Sequence, residues 1–337
     1  MQIVSTIQNL SLSLLAASET ESGAVPNEIA AADIFALIVF VLAVATGLYY
    51  WLQYLKLPFI QKGDFLVDRS APAKWGLLQV LVILGIWIVS QSIVYAWLIS
   101  WNGLDPGKIP TGELGARFAV IAGIAQVVVV IGCFIFLMKR YRYEDSDFGL
   151  SRNQILAGIK AGLIGFVMWV PLVWLAQHIL VYFIEYSHPS LDRIIDNKDL
   201  TILIDTWIAA VIVAPIVEEI LFRGIIQGWL QRIRKESWQN PNPVLLGAEM
   251  QVAGTSDEKP QRRKKKKQWL HRPAIVITSL LFGLAHFSQG PAPISLFILS
   301  LGLGYLYQRT GSIIACIVMH MILNAVTLMV FTINMYS

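Results

Sequence analysis

Of the 337 residues in this chain, 56% are hydrophobic and only 14% charged, with a mean hydropathy of +0.61; soluble domains carry about 25% charge. An ordinary water-soluble domain is excluded, and apolar runs near the roughly 20 residues that cross a bilayer as helix favour helices over the short alternating strands of a barrel. The expected fold class is therefore all-α, a polytopic transmembrane bundle of about eight helices. The net charge of +4 does not signal a nucleic-acid partner, because the basic residues cluster in loops flanking the apolar runs, where topology explains them. Cys133 and Cys316 lie inside apolar runs without CxxC spacing and are read as packing residues.

In chain order, the first 33 residues contain Glu19, Glu21, Glu28 and Asp33 but no Lys or Arg. Their apolar stretch from Leu10 to Ala17 is short and broken by Ser, a poor signal peptide, so 1–33 is expected to be a non-cytoplasmic tail. Hydropathy then predicts spans at about 34–55, 75–99, 118–138, 161–184, 202–230, 274–287, 294–308 and 312–334. The sixth and seventh are short, and the helix breakers Gly290, Pro291 and Pro293 between them suggest a tight hairpin or broken helices lining a polar interior. Gly158 and Gly162 permit close helix packing in the fourth span. Tyr49, Tyr50, Trp51, Trp97 and Trp101, near span ends, read as interfacial anchors.

Alternate loops hold 21 Lys and Arg residues, eleven of them from Arg232 to Arg272, whereas the opposite loops hold four basic and ten acidic residues. By the positive-inside rule the basic side is cytoplasmic, including the loop 232–273, and both termini face away from it. The polar stretch 236–268, which ends in Arg262, Arg263 and Lys264 to Lys267, is expected to be a largely disordered cytoplasmic loop. Its plainer role is that of a stop-transfer cluster; the alternative is a grip on anionic membrane lipids, at about 1 kcal/mol per basic residue near the surface.

The fifth span places Glu218, Glu219 and Arg223 in apolar sequence. One Asp, Lys or Arg at a helix centre costs about 2.5 to 3.5 kcal/mol to insert, so such residues mark a polar interior and function. Residues four apart share a helix face, so Glu219 and Arg223 can pair and support the site, whereas Glu218 points elsewhere with no basic partner at i+3 or i+4. Pro215 removes a backbone donor just before them and is expected to open the helix there. Two histidines follow in apolar spans: His286, four residues after Phe282, and His320, four residues before Asn324 on the same face. His178 is a third buried candidate, read as a helix-packing residue. A glutamate with histidines suits general-base hydrolysis, and a His/Asn pair offers donors to an oxyanion. HExxH, Gly-x-Ser-x-Gly and a Ser/Lys dyad are absent. Zinc held by Glu218, His286 and His320 is chemically possible and is the lesser expectation; no cofactor is expected.

The segments Glu218-Glu219-Ile220-Leu221-Phe222-Arg223, Phe282-Gly283-Leu284-Ala285-His286 and His320-Met321-Ile322-Leu323-Asn324 read as EExxxR, FxxxH and HxxxN. In these motifs and their order the chain resembles the CPBP family, the CAAX proteases and bacteriocin-processing enzymes also called the Abi family. The resemblance runs from about Asp205 to Val330; it implies an intramembrane glutamate endopeptidase in which Glu218 and His286 activate water while His320 and Asn324 stabilise the oxyanion. Glu219, Arg223 and Phe282 take supporting places. The long basic loop between the first two motifs departs from the family's short connection. The expected organisation is thus the tail 1–33, N-terminal membrane helices over 34–200, and a catalytic core over 201–335 interrupted by the loop 236–268. A membrane-associated or prenylated protein or peptide is the expected substrate, and the plasma membrane of a prokaryote the expected location. Rival readings are a non-catalytic scaffold or bacteriocin self-immunity protein, and a proton-coupled transporter.

Overall fold

A computed structural model describes residues 31–56, 73–105, 110, 112–181, 183, 200–239, 272–287, 289 and 292–336. The expected tail, apart from 31–33, and the loop from residue 240 onward lie outside the described residues, as do Gly290, Pro291, His188 and His271 and the side chain of His178. The described chain is helical: α1 (Ala31–Lys56), α2 (Leu77–Trp101), α3 (Gly112–Arg140), α4 (Arg152–Val181), a composite α5 (200–239), α6 (Arg272–Leu284), α7 (Ala292–Thr310) and α8 (Ile313–Tyr336). A single 3-10 turn, Asp145–Phe148, precedes α4. These eight helices fall on the eight expected spans, and α5 runs as helix to Gln239, into the expected loop.

Among the described residues, five helical stretches are long and apolar enough to cross a membrane: Leu77–Trp101, Gly112–Arg140, Asp145–Gln177, Leu200–Ile233 and Ile313–Ile333. Their outward faces are apolar, as at Leu78, Val128 and Phe136, each about two-thirds exposed, which is the surface that lipid covers. The chain is an integral membrane protein. Within the bundle α4 packs against α1, α7 and α8, α2 lies on α3, and α6 forms an antiparallel pair with α7. In the hairpin, a Cβ on Gly283 would stand 2.7 Å from the Pro293 carbonyl oxygen, so the two backbones approach as only glycine allows.

Small residues also set the α4–α8 contact. A Cβ on Gly158 would meet Ser312 Oγ at 2.7 Å, and one on Gly162 the Ala315 carbonyl at 2.7 Å, as the GxxxG spacing predicts. The core around them joins Trp75, Phe134, Phe148, Leu221, Ile225, Leu303 and Tyr307. Cys316 is fully buried there with Sγ 3.4 Å from the Leu303 carbonyl, a packing residue as expected; Cys133 is half-buried.

The helix that positions the site is α5. It starts as α-helix (Leu200–Trp207), widens into π-helical turns (Ile208–Val213), returns to α-helix for Ala214–Glu219, widens again over Ile220–Gln227 and ends as α-helix (Gly228–Gln239). Pro215 sits at the first of these returns. In the first π stretch the Ala214 N–H donates to the Ala209 carbonyl, five residues back. The next bond in that pattern would run from residue 215 to the Ala210 carbonyl, and proline has no N–H to supply it. Asn324 of α8 supplies it instead, its Nδ2 donating to Ala210 O at 2.8 Å. The opening expected at Pro215 therefore takes the form of a π-helical turn held from outside.

Candidate functional site

Three helices bring the three motifs together. Glu218 lies at the end of the short α-helical stretch between the two π segments, His286 just past the C-terminus of α6, and His320 two turns into α8. Glu218 Oε1 is 3.8 Å from His286 Nε2, and Glu218 Oε2 is 3.9 Å from His320 Nε2, so one carboxylate stands between two imidazoles. These gaps exceed a hydrogen bond and leave room for a small polar molecule bridging carboxylate and ring. The side chains of Glu218 and His286 are 22% and 18% exposed, whereas that of His320 is 3% exposed. Glu218 and His286 are thus partly open to the surface of the bundle, with His320 buried behind them.

The backbone fixes the His286 tautomer. Its Nδ1 lies 2.8 Å from the Phe282 carbonyl oxygen, which can only accept, so Nδ1 carries the hydrogen and Nε2 of the neutral ring offers a lone pair towards Glu218. Phe282 also packs against the ring, with centroids 5.0 Å apart, and lies 5.9 Å from the ring of His320 and 5.0 Å from that of Phe222. The phenylalanine of the FxxxH motif is therefore an aromatic floor under both histidines.

Glu219 faces the other way and is fully buried. Its Oε2 accepts from Arg223 Nε at 2.9 Å, and its Oε1 takes the Nδ1–H of His320, also at 2.9 Å. The pair with Arg223 is the one that four-residue spacing predicts; the bond to His320 joins the first motif to the third and was not foreseen. With Nδ1 donating to Glu219, His320 Nε2 is a donor only when the ring is doubly protonated, and the Glu219 carboxylate is the countercharge such a ring needs. Arg223 Nη2 donates in turn to Ser300 Oγ of α7 at 2.8 Å, and Gln227 Nε2 to the Gly304 carbonyl at 3.0 Å. Ser300 and Gln227, both buried without exposure, lie outside the expected set. The signal for Gln227 is in the sequence: Glu219, Arg223 and Gln227 recur every fourth residue on one face of an apolar helix.

Asn324 shares the His320 face, as spacing predicts, but its amide already gives one hydrogen to Ala210 O. Its second hydrogen and its oxygen are what it has left for a ligand. Among the described residues, no three His, Cys, Asp or Glu side chains are grouped as a metal site. The 3.8 and 3.9 Å gaps around Glu218 are wider than the about 3.4 Å that separates ligands around a tetrahedral zinc with bonds near 2.1 Å.

Residues 201–326 match the family model described as Type II CAAX prenyl endopeptidase Rce1-like. No curated protein and no solved structure matches the chain. The matched segment begins and ends within about four residues of the expected Asp205 to Val330 and contains EExxxR, FxxxH and HxxxN entire. Over residues 201–326, the stretch that builds this constellation, the chain is thus similar to the Rce1-like type II CAAX prenyl endopeptidases of the CPBP (Abi) family.

Proposed function

We propose that the chain is an intramembrane endopeptidase of the glutamate type, hydrolysing a peptide bond in a membrane-associated protein or peptide. The observation that carries this reading is the placement of a partly exposed Glu218 between His286 Nε2 and His320 Nε2 at 3.8 and 3.9 Å. A water between Glu218 and His286 gives a proton to one of these two acceptors as its oxygen attacks the carbonyl carbon. The carbonyl π electrons move to oxygen, and the oxyanion takes hydrogen bonds from His320 Nε2, when that ring is doubly protonated, and from the remaining amide hydrogen of Asn324. Collapse of the tetrahedral intermediate breaks the C–N bond, and the proton held by Glu218 or His286 passes to the leaving amine. Glu219 and Arg223 hold His320 in register by the buried bonds described above.

The supporting family match concerns CAAX prenyl endopeptidases, so a prenylated chain is one substrate within this class. Membrane lipids surround the protein, and the proposed location is the plasma membrane of a prokaryote, with the loop 232–273 cytoplasmic. The test compares membranes bearing wild type or Glu218→Gln for new peptide termini by mass spectrometry, with and without a zinc chelator. Termini lost in Glu218→Gln and kept with chelator support the proposal; termini lost with chelator would move Glu218, His286 and His320 to a metal-ligand role. Identical termini at equal expression would favour a scaffold or self-immunity protein, and proton-coupled flux abolished by Glu218→Gln without cleavage a transporter.

A further inference from the structure

We infer that the groove between α2 and α3, at the basic end of the bundle, binds an anionic phospholipid, with one acyl chain along the groove and the phosphate against Arg140 and Lys139. The inference does not depend on the hydrolytic reading.

Lys74, just before α2, joins the start of that helix to the end of α3. Its Nζ donates to the carbonyls of Tyr141 and Arg142 at 3.1 and 3.4 Å, and Arg232 donates to the Lys74 carbonyl. Beside this junction the two helices enclose a groove of about 350 Å³, a volume in the range of ligand-binding clefts. Val82 and Ile86 form one wall, Gly132 and Phe136 the other, and the buried Ile83 and Leu137 the floor. From Gln79 to Ile86 the groove runs about 10 Å along α2 at 1.5 Å per residue. Its walls belong to the apolar outer surface of the bundle, where Val82 is 50% and Phe136 65% exposed.

Gly132 shows that the groove is kept open. Glycine inside a helix costs stability relative to alanine, so its use calls for a reason. At Gly158 and Gly162 the reason is α8, which a Cβ would strike. A Cβ on Gly132 would have nothing within 4 Å among the described residues, and Gly85, next to Ile86 on α2, is open in the same way. No described neighbour needs the space, whereas a hydrocarbon chain lying in the groove does. Gln79 adds an amide to the lining: its Oε1 takes the Gly76 N–H at 2.9 Å, which leaves the Nε2 hydrogens for an acceptor such as a glycerol-ester carbonyl.

The charge at the mouth selects the headgroup. Arg140 lies four residues beyond Phe136 and eight beyond Gly132, on the same face of α3. Helical side chains lean over the turn that precedes their own, which directs Arg140 towards the groove. Its guanidinium stands 5.6 Å from the Tyr141 ring, and Lys139 is beside it. Both are exposed, and among the described residues neither is paired with a carboxylate. Glu144, Asp145 and Asp147 belong to the next turn, where Asp147 accepts the Glu144 N–H at 2.9 Å. By the positive-inside rule this end is cytoplasmic, the leaflet in which anionic lipids supply the countercharge. A free phosphate would satisfy the cations and leave the groove empty; a zwitterionic lipid would fill the groove and bring its own ammonium against Arg140. On the inner side of the same stretch of α3, Phe134 stands 3.1 Å from the place of a Cβ on Gly224, so a filled groove backs the wall on which the second π segment of α5 rests.

The test is native mass spectrometry of the full chain in detergent with added dioleoyl phosphatidylglycerol or dioleoyl phosphatidylcholine. One phosphatidylglycerol is expected to be retained about fivefold or more tightly than phosphatidylcholine, and Arg140→Gln with Lys139→Gln to remove that preference. Gly132→Leu, which fills the groove where no described residue opposes it, is expected to lower phosphatidylglycerol retention by about tenfold. Equal retention of the two lipids by wild type, a preference that survives loss of both cations, or unchanged retention in Gly132→Leu overturns the inference; the last result would leave the groove to another segment of this chain or to a second copy. A readout on the unaltered chain stands apart from any folding defect of a variant. Cys133 lines the groove half-buried, so phosphatidylglycerol is expected to slow its alkylation by N-ethylmaleimide about fivefold, followed on its own peptide. Alkylation of Cys133 at the same rate with and without the lipid contradicts the site.

Discussion

At the level of the site, α5 has two faces that put the same chemical group to opposite use. One face carries Glu219, Arg223 and Gln227, all without exposure, each bonded to a neighbour on α7 or α8. The other presents Glu218, 22% exposed and, among the described residues, held by no hydrogen bond to a Lys or Arg, between two imidazoles nearly 4 Å away. A buried carboxylate is tolerated only with its lone pairs satisfied, and Glu219 is anchored accordingly. A carboxylate that must exchange a proton needs the reverse, and Glu218 has it. Adjacent residues diverge by about 100° around a helix, which is why a Glu-Glu pair can serve both ends at once.

The sharpest way to break the anchored face is Arg223→Met, which leaves the Glu219 carboxylate buried without its cation. The expected loss of folding stability is about 3–5 kcal/mol, read as a collapse of folded yield and of the unfolding midpoint in detergent. Gly304→Ala disturbs the same face without touching a charge, since its Cβ would stand 2.9 Å from Ile275 Cγ2 and 3.0 Å from Gln227 Oε1. Overpacking there costs about 1–3 kcal/mol by the same assay. Asn324→Ala has the smallest expected effect on stability, about 1 kcal/mol for the one hydrogen bond to Ala210 O, at a half-buried turn that water can reach. In cleavage assays the proposed mechanism has it act twice, on the π turn beneath Glu218 and on the oxyanion, so the expected loss of turnover exceeds the loss of stability.

Much of this was legible in the sequence because a bilayer makes charge informative. Eight apolar runs become eight helices, and Glu218, Glu219, Arg223, His286 and His320, the motif residues within them, meet at the site. The i,i+4 rule separates Glu218 from Glu219 correctly, since it depends only on helix geometry within one segment. What escaped depends on contact between segments or on hydrogen-bond register. Nothing local to His320 announces that its Nδ1 meets Glu219 across 101 positions of sequence, and Ser300 is an ordinary residue of α7 until Arg223 arrives beside it. The π-helical turns of α5 leave no periodic signature, because a widened turn keeps the apolar composition and only displaces the phase. Pro215 hinted at them, but the donor that makes the arrangement stable, Asn324, lies 109 residues further on.

The most direct measurement compares Glu218→Gln with Glu219→Gln for both the unfolding midpoint and the release of new peptide termini. The account predicts a double dissociation. Glu218→Gln keeps stability within about 0.5 kcal/mol of wild type and loses cleavage by about 10²-fold or more, while Glu219→Gln unfolds early. A Glu218→Gln protein that still generates the wild-type termini, or a Glu219→Gln protein as stable as wild type, would contradict it.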